Sequence, residues 1–310
     1  MKKEDLIYVS GATGLVGRNL VKKLKESGYD NIITREHNQL DLTSQEDTES
    51  FIRCHRPMYI YHCASIVGGI QANINEPYKF LYENLMIQNN IINCAIKYNV
   101  EKTMYLASAC MFPRDYKQPL KESYLLEAPV EPTNEGYALS KICGTKLCEY
   151  ANKTLGDKFI ILSPTNLYGI YDHFDPTDSH VLQSLIKKIY DAKKSNKKVI
   201  TIWGTGEPRR EFLYVEDLAD CMVWAMNNIK SKTFLNVGTG KDASITELAE
   251  TVARVIEWKG KFKYDTSKPD GMKLKCLDVS KINKLGWKAT TNLEEGIEKT
   301  VEYYKELISD

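Results

Sequence analysis

The stretch NEGYALSKICG, residues 134–144, sets Tyr137 and Lys141 four positions apart on a segment of helical character. Residues at i and i+4 share one face of a helix, so a phenol and an ammonium stand side by side there. Such a pair can move a proton. A free phenol has a pKa of about 10, and bringing it near neutrality takes roughly 3 units, or about 4 kcal/mol. One cation about 4 Å away, at an effective dielectric of about 20, supplies about that much. Spacing alone does not single out this pair, because the same interval recurs at Tyr98/Lys102, Tyr190/Lys194 and Tyr264/Lys268. What distinguishes Tyr137 is Ser108, which ends the apolar stretch TMYLAS (103–108) 29 residues upstream. Parallel sheets place functional groups outside the carboxyl ends of their strands. The other three pairs have no such partner.

These residues need elements to hold them. Short apolar runs at LIYVS (6–10), NIITR (31–35), MYIYHCA (58–64), TMYLAS (103–108) and KFIILS (158–163) read as strands. Between them lie helical stretches: one opened by glycines and closed by Gly28, and one capped by Thr43 or Ser44 and running to about Cys54. Two long ones follow, at 76–98 and about 135–155. Strands alternating with helices make right-handed βαβ units, hence an α/β fold with a doubly wound parallel sheet. After residue 165 the rhythm breaks into a polar, aromatic-rich loop (166–180), a helix at about 181–194 and a strand at 199–203. A helix at 215–228 and a strand at 234–238 return to the sheet, and further helices begin near 245 and 292. This organisation implies a nucleotide-binding domain (1–165 and about 212–238) and a smaller discontinuous α/β substrate domain (about 166–211 and 239–310), with a cleft between them.

The totals exclude several classes. Over 310 residues, 42 Lys and Arg balance 41 Asp and Glu, so nothing asks for a nucleic acid or an anionic membrane. The N-terminus carries no signal-peptide pattern, and no apolar stretch approaches the roughly 20 residues of a membrane span. Eight cysteines without a Cys-x-x-Cys pair read as reduced thiols of a cytoplasmic protein. The five histidines show no metal spacing, so no metal is expected. The two long helices are apolar on more than one face, which predicts a homodimer.

Gly11, Gly14 and Gly17 follow the first strand and open the first helix. Without side chains there, backbone can approach a pyrophosphate whose charge the helix N-terminus favours. The second strand ends Thr34-Arg35-Glu36; Arg35 is first to emerge and favours a 2′-phosphate, hence NADP(H), whereas Glu36 is the kind of residue that binds a free ribose hydroxyl.

The G-x-x-G-x-x-G spacing with Ser108, Tyr137 and Lys141 resembles the extended short-chain dehydrogenase/reductase family, whose sheet is of the Rossmann type. A nearer resemblance, to its GDP-L-fucose synthase branch, rests on HCASIVGGIQAN (62–73), SACMFP (108–113), EPTNEGYALSKICG (131–144) and PTNLYG (164–169). It extends through DSHVLQSLIKK (178–188), WGTGEPRREFLYVEDLAD (203–220), NVGTG (236–240) and KPDGMKLKCLD (268–278), covering nearly the whole chain in order. The resemblance implies reduction at C4 of a GDP-linked 4-keto-6-deoxy sugar, with epimerisation at C3 and C5. It also implies Cys110 and His180 as the acid/base pair for epimerisation. Read from the residues alone, Cys110 is equally a strand-end thiol and His180 a helix N-terminal cap. For the cofactor the resemblance implies Thr13, Leu15, Asp41, Leu42, Ala64, Pro164, Asn166, Leu167 and His180 beside the glycines, Arg35, Tyr137 and Lys141. For the substrate it implies Asn166, Lys188, Trp203, Arg210, Asp270 and Lys275. The chain departs from the branch at Ala109, Met111, Phe112 and Ile66, and has Lys188 where an arginine is frequent. These lie in the pocket wall, so a GDP-linked 4-keto-6-deoxy-heptose reduced without epimerisation is the alternative substrate. An NAD-dependent sugar-nucleotide 4-epimerase and a non-enzymatic NADP-binding module are further alternatives.

Overall fold

A computed structural model describes residues 1–156, 158–174, 180–230, 233–268 and 270–309. The chain begins β1 (Ile7–Ser10), α1 (Leu15–Glu26), β2 (Ile32–Thr34), α2 (Gln45–His55), β3 (Tyr59–His62), α3 (Ile70–Asn75), α4 (Pro77–Lys97), β4 (Lys102–Leu106), α5 (Glu135–Leu155) and β5 (Phe159–Pro164). Next come β6 (Asn166–Tyr168), α6 (Val181–Lys194), β7 (Val199–Trp203), β8 (Arg209–Tyr214), α7 (Val215–Asn228) and β9 (Thr233–Val237). The remainder is β10 (Asp242–Ser244), α8 (Ile245–Ile256), β11 (Lys261–Asp265), β12 (Leu274–Lys275), α9 (Ser280–Lys284) and α10 (Leu293–Leu307).

Six strands form a sheet in the order β2-β1-β3-β4-β5-β9, parallel throughout. Helices cover both faces, with α1 packed on α7 and α4 on α2 and α5. That is why the strands read as near-continuous apolar runs: Ile7, Val9, Ile60, Met104, Ile160 and Leu162 are wholly buried. The strand order reverses between β1 and β3, which opens a crevice outside their carboxyl ends. Ser44 caps α2 by accepting the Asp47 N–H at 3.2 Å.

A second layer follows β5. The strand continues through Thr165 into β6, which leaves the first sheet and pairs with β8. β8 is the hub, paired antiparallel with β10 and parallel with β12, while β7 and β11 form a separate parallel pair. A second apolar cluster around Leu182, Ile186, Leu248, Val252 and Ile297 sits under this layer. Buried Glu211 ties it together, accepting N–H groups from Gly240 and Leu277 at 2.7 Å each.

Several features differ from the sequence reading. The loop expected at 166–180 begins with a strand, β6. β4 stops at Leu106, so Ser108 does not end it; Ser108 opens a short 3-10 turn over Ala109–Met111. α3 and β10 are too short for a periodic pattern to announce them. Of the matching stretches, Asp178, Ser179 and Pro269 lie outside the described residues. Among the described residues no helix is long and apolar enough to cross a membrane.

Candidate active site

At the carboxyl end of β1 the chain turns sharply. Gly11 has φ +70°, and a Cβ there would lie 2.7 Å from the Ala64 N atom; one on Gly17 would lie 2.1 Å from Gly11 O. Neither position accepts a side chain, because backbone already fills that space. The result is a bare cradle at the N-terminus of α1, with Gly14 as its N-cap, Leu15 as its first residue and Thr13 exposed beside it. It fits the pyrophosphate of a dinucleotide. Ser10 and His62 lock the cradle to β3 through a 2.9 Å bond between Ser10 Oγ and His62 Nδ1, and Ser10 Oγ also accepts the Ala64 N–H at 3.3 Å. Burial, with the Lys141 charge adding to it, pushes His62 down to about 3, so its ring is neutral.

Beyond β2, Arg35 is half-buried. Its Nη1 donates to Thr34 O at 2.7 Å, and its guanidinium lies 5.2 Å from the Phe51 ring centroid. Asp41 accepts the Thr43 hydroxyl at 2.7 Å and its N–H at 2.9 Å, which hold the carboxyl below its usual range. Buried Leu42 is fixed where its carbonyl accepts Asn90 Nδ2 at 2.9 Å.

The reacting centre forms where β3, β4 and α5 converge. Ser108 lies beside the Tyr137 phenol, where its hydroxyl favours the ionised form. Lys141, 5% exposed, donates to Leu106 O at 3.0 Å, and its Nζ lies 5.7 Å from the Tyr137 ring centroid. Cys110 sits two residues past Ser108, its N–H donating to Ser108 Oγ at 3.3 Å. From the opposite side β12 brings Lys275, whose Nζ is 3.7 Å from Cys110 Sγ. Cys110 and Lys275 are 165 residues apart in sequence; the pairing of β12 with β8 and the bridge between Leu120 and Leu277 bring them together.

The electrostatics differ from the sequence expectation. Tyr137 is not brought toward neutrality; burial raises it, and the nearby Cys110 adds to the rise, against the lowering effect of the neighbouring Ser108 and Ser65 hydroxyls. Burial also pushes Lys141 down to about 8. The enclosure that penalises a phenolate penalises the ammonium too. Tyr137 is therefore held as a neutral proton donor, beside a cation that titrates near neutrality.

Ser65, Asn84, Ser10 and His62 escaped the sequence reading. Ser65 donates to Asn84 Oδ1 at 2.7 Å and lies beside the Tyr137 phenol. The one available signal was a polar pair, His62 and Ser65, at the end of an apolar strand.

The residues expected to meet the substrate lie on the second layer. Pro164 pairs with Val237 at the end of the sheet; Asn166 and Leu167 lie on β6, and Asn166 Nδ2 donates to Glu211 O at 2.7 Å. Trp203 is 69% exposed, with the ammonium groups of Lys188 and Lys268 at 5.7 and 5.6 Å from its ring. Arg210, register partner of Lys275, donates to Met272 O and to Arg209 O. Asp270 accepts the Thr205 hydroxyl at 2.7 Å and its N–H at 2.9 Å. His180 stands apart, exposed at the N-cap of α6, with no hydrogen bond to Cys110 or Tyr137 among the described residues. No group of three or more His, Cys, Asp or Glu among those residues is arranged to hold a metal.

The parallel sheet, the glycine cradle and the cluster of Ser108, Tyr137 and Lys141 define a short-chain dehydrogenase/reductase of Rossmann type. Residues 7–238 match the model of the NAD dependent epimerase/dehydratase family, and the chain belongs to that family, in its GDP-L-fucose synthase branch. It is 42% identical over 302 residues to GDP-L-fucose synthase 1 of Arabidopsis thaliana, covering 97% of this chain and 94% of that one. It is 43% identical over 300 residues to GDP-L-colitose synthase of Yersinia pseudotuberculosis, covering 96% and 97%. Among solved structures, the GDP-mannoheptose C4 reductase of Campylobacter jejuni with NADP bound superposes with a TM-score of 0.92 at 35% identity, covering 98% of this chain and 99% of that one.

Proposed function

We propose that this enzyme is an NADPH-dependent oxidoreductase that reduces C4 of a GDP-linked 4-keto-6-deoxy sugar and epimerises C3 and C5. The observation that carries the reading is the meeting of Ser108, Tyr137 and Lys141 beside Cys110 at the sheet's carboxyl edge. Gly11, Thr13, Gly14, Leu15 and Gly17 would hold the cofactor pyrophosphate, Arg35 its 2′-phosphate, and Asp41 and Leu42 its adenine. Ala64, Pro164, Leu167, Lys141 and His180 would surround the nicotinamide riboside. When bound, NADPH supplies the hydride for C4. Ser108 hydrogen-bonds the carbonyl oxygen, and Tyr137, kept protonated by its enclosure, gives that oxygen its proton. The C4 ketone acidifies the hydrogens on both neighbouring carbons; Cys110 removes them and His180 returns protons on the other face. Lys188 and Arg210 supply positive charge for the diphosphate, and Trp203, Asp270, Asn166 and Lys275 line the remaining substrate path.

A second reading is reduction without epimerisation, on a GDP-linked 4-keto-6-deoxy-heptose. The likeness to the GDP-mannoheptose C4 reductase over 98% of the chain favours it, as do the departures from the branch at Ile66, Ala109, Met111 and Phe112. Product analysis in deuterated water with NADPH and both sugars separates the two. Solvent deuterium at C3 and C5, abolished by Cys110→Ser, supports the bifunctional enzyme. A reduced product without deuterium assigns the reductase alone.

We further infer a cytoplasmic homodimer. Tyr78 and Tyr82 on α4, stacked with centroids 5.4 Å apart, and Leu139, Leu147 and Tyr150 on α5 are all exposed on the paired helices. A second copy of this face would cover them. All eight cysteines are free thiols, in keeping with a reducing compartment. Residues 1–165 with about 212–238 would act as the cofactor unit, and the rest as the substrate unit. Light scattering at micromolar concentration tests the dimer, and a monomer mass refutes it.

A further inference from the structure

Lys275 reaches the reacting centre from the second layer and carries its charge inside. It is 8% exposed, and among the described residues no carboxylate pairs with it; the Cys110 thiol, 3.7 Å from Nζ, is its hydrogen-bond partner. An ammonium taken out of water needs an anion beside it, because only a close opposite charge offsets the lost hydration. A neutral thiol is a weak acceptor, whereas an ionised one makes a charge-assisted bond. Cys110 is the group in contact that can supply the missing charge. The contact is built from both sides. β12 is pinned to the segment that follows Cys110: the Cys276 N–H donates to Gln118 Oε1 at 3.1 Å, the Leu120 N–H to Cys276 O at 2.8 Å and the Asp278 N–H to Leu120 O at 2.8 Å. On its other edge Arg210 of β8 is the register partner of Lys275, and the Leu277 N–H goes to buried Glu211 at 2.7 Å. Cys110 is held in turn by its own N–H on Ser108 Oγ at 3.3 Å. Two anchored backbones thus bring one ammonium and one sulfur together. Lys141, the other cation of the centre, is engaged with Leu106 O at 3.0 Å.

We propose that Lys275 is a positioning residue for Cys110: the two stand as an ammonium–thiolate pair, and this makes Cys110 the base that epimerisation requires. The proposal rests on the reading of Cys110 as that base. In the step it serves, the thiolate takes the hydrogen from C3 or C5; the C–H bond breaks, an S–H bond forms and the electron pair passes to the C4 oxygen. His180 then gives a proton to the other face of the carbon, and the electron pair returns from oxygen to form the new C–H bond. Cys110 releases its proton to solvent and His180 takes one back, so nothing is consumed. The groups around the sulfur are Ser108 on its own turn, Tyr137 and Lys141 on α5, and Lys275 on β12. Among them Lys275 is the one that donates a hydrogen bond to the sulfur. A thiolate has no task in C4 reduction, so the pair also favours the bifunctional enzyme over the reductase.

The test needs no substrate. The parent, Lys275→Met and Lys275→Arg are alkylated with iodoacetamide at about pH 7 and about pH 9.5. Mass spectrometry reads the rate at half-buried Cys110, with exposed Cys54 and Cys143 as controls in the same chain. The thiolate is the reacting form, so Lys275→Met slows Cys110 about tenfold near pH 7 and little near pH 9.5, where ordinary thiols ionise unaided. Lys275→Arg keeps the charge and stays within about threefold of the parent. Slowing of the same size at both pH values marks a change of access instead of charge and overturns the proposal, as does an unchanged Cys110 rate near pH 7. If Lys275→Met does not fold, thiolate absorbance near about 240 nm decides, taken as parent minus Cys110→Ser at about pH 7. A band there upholds the pair and its absence overturns it. With GDP-4-keto-6-deoxy-D-mannose in deuterated water, Lys275→Met lowers deuterium at C3 and C5 more than it lowers NADPH oxidation. A parent that reduces the sugar without deuterium at either carbon sinks the epimerase reading, and the alkylation rates still judge the pair.

Discussion

Lys141, at the edge of the parallel sheet, is 5% exposed and bonded to a strand carbonyl, whereas Trp203, on the second layer, is 69% exposed with ammonium groups at its ring. The same contrast holds for their neighbours. Tyr137 is enclosed beside Ser108 and Ser65, while His180 is exposed at a helix end with no side-chain cap bond. Around the reacting atoms the protein has fixed its hydrogen bonds in advance. Where a nucleotide would lie, it offers charge and an aromatic face that can adjust. Preorganisation lowers the cost of the chemical step, and an adjustable face suits recognition of a large, charged ligand. Damage to the first region should therefore appear in kcat, and damage to the second in KM.

The largest effect tests the rigid side. Tyr137→Phe keeps the ring and removes the proton donor, so NADPH oxidation should fall by about 10³-fold. NADPH affinity, followed by fluorescence, and the melting temperature should stay near those of the parent. A mutant that retains a tenth of the activity breaks the assignment.

Arg35 lies between the two extremes, half-buried but on the sheet side. A charge-assisted contact of about 1.5–3 kcal/mol to a 2′-phosphate corresponds to roughly 10- to 100-fold in preference for NADPH over NADH. Arg35→Ala should erase most of that preference. Equal efficiency of the parent with both cofactors would show that the contact is not made.

On the adjustable side, Trp203→Ala should raise KM for the GDP-sugar about tenfold, the equivalent of about 1.4 kcal/mol, with little change in kcat. Its side chain supports no core, so thermal stability should not move. A fall in kcat at unchanged KM would erase the contrast between the two regions.

The smallest effect is a pH limb. Lys141 has been pushed from its ordinary value down to about 8. Its cationic form is complete below that pH and is lost as pH rises through it, so kcat should fall to about half near pH 8 and continue downward. Tyr137, displaced upward, stays protonated across the same window and does not contribute. The folded state also binds fewer protons at Lys141 than the unfolded chain between about 8 and the ordinary lysine value. This group therefore adds stability as pH rises through that window, in the opposite direction to activity. Activity flat to pH 10 would remove Lys141⁺ from the chemistry.

Much of the sheet side was legible because its signals are local. The helices at 135–155 and 215–228 carry their periodicity in consecutive residues, and the structure has them at those bounds, as it has the second layer's helix at 181–194 and strand at 199–203. The glycine cradle was legible for a stronger reason: backbone occupies the space of a Cβ at Gly11 and Gly17, so the residue type itself records the contact. The second layer was less legible. β6, β10 and β12 have two or three residues each, too few to show alternation, and β8 becomes a hub only once all three have found it.

The amino-acid order by itself determined the βαβ rhythm, the glycine cradle and the identity of the residues grouped around Tyr137, since short-range sterics and helical or strand periodicity act within a few residues. Only the tertiary structure decided how those groups behave. Ser65 meets Asn84 across 19 residues, and Lys275 meets Cys110 across 165. Whether Tyr137 titrates upward or downward depends on how much water surrounds it and which hydrogens reach its oxygen. Those are properties of packed atoms from several strands and helices, and no window of sequence contains them.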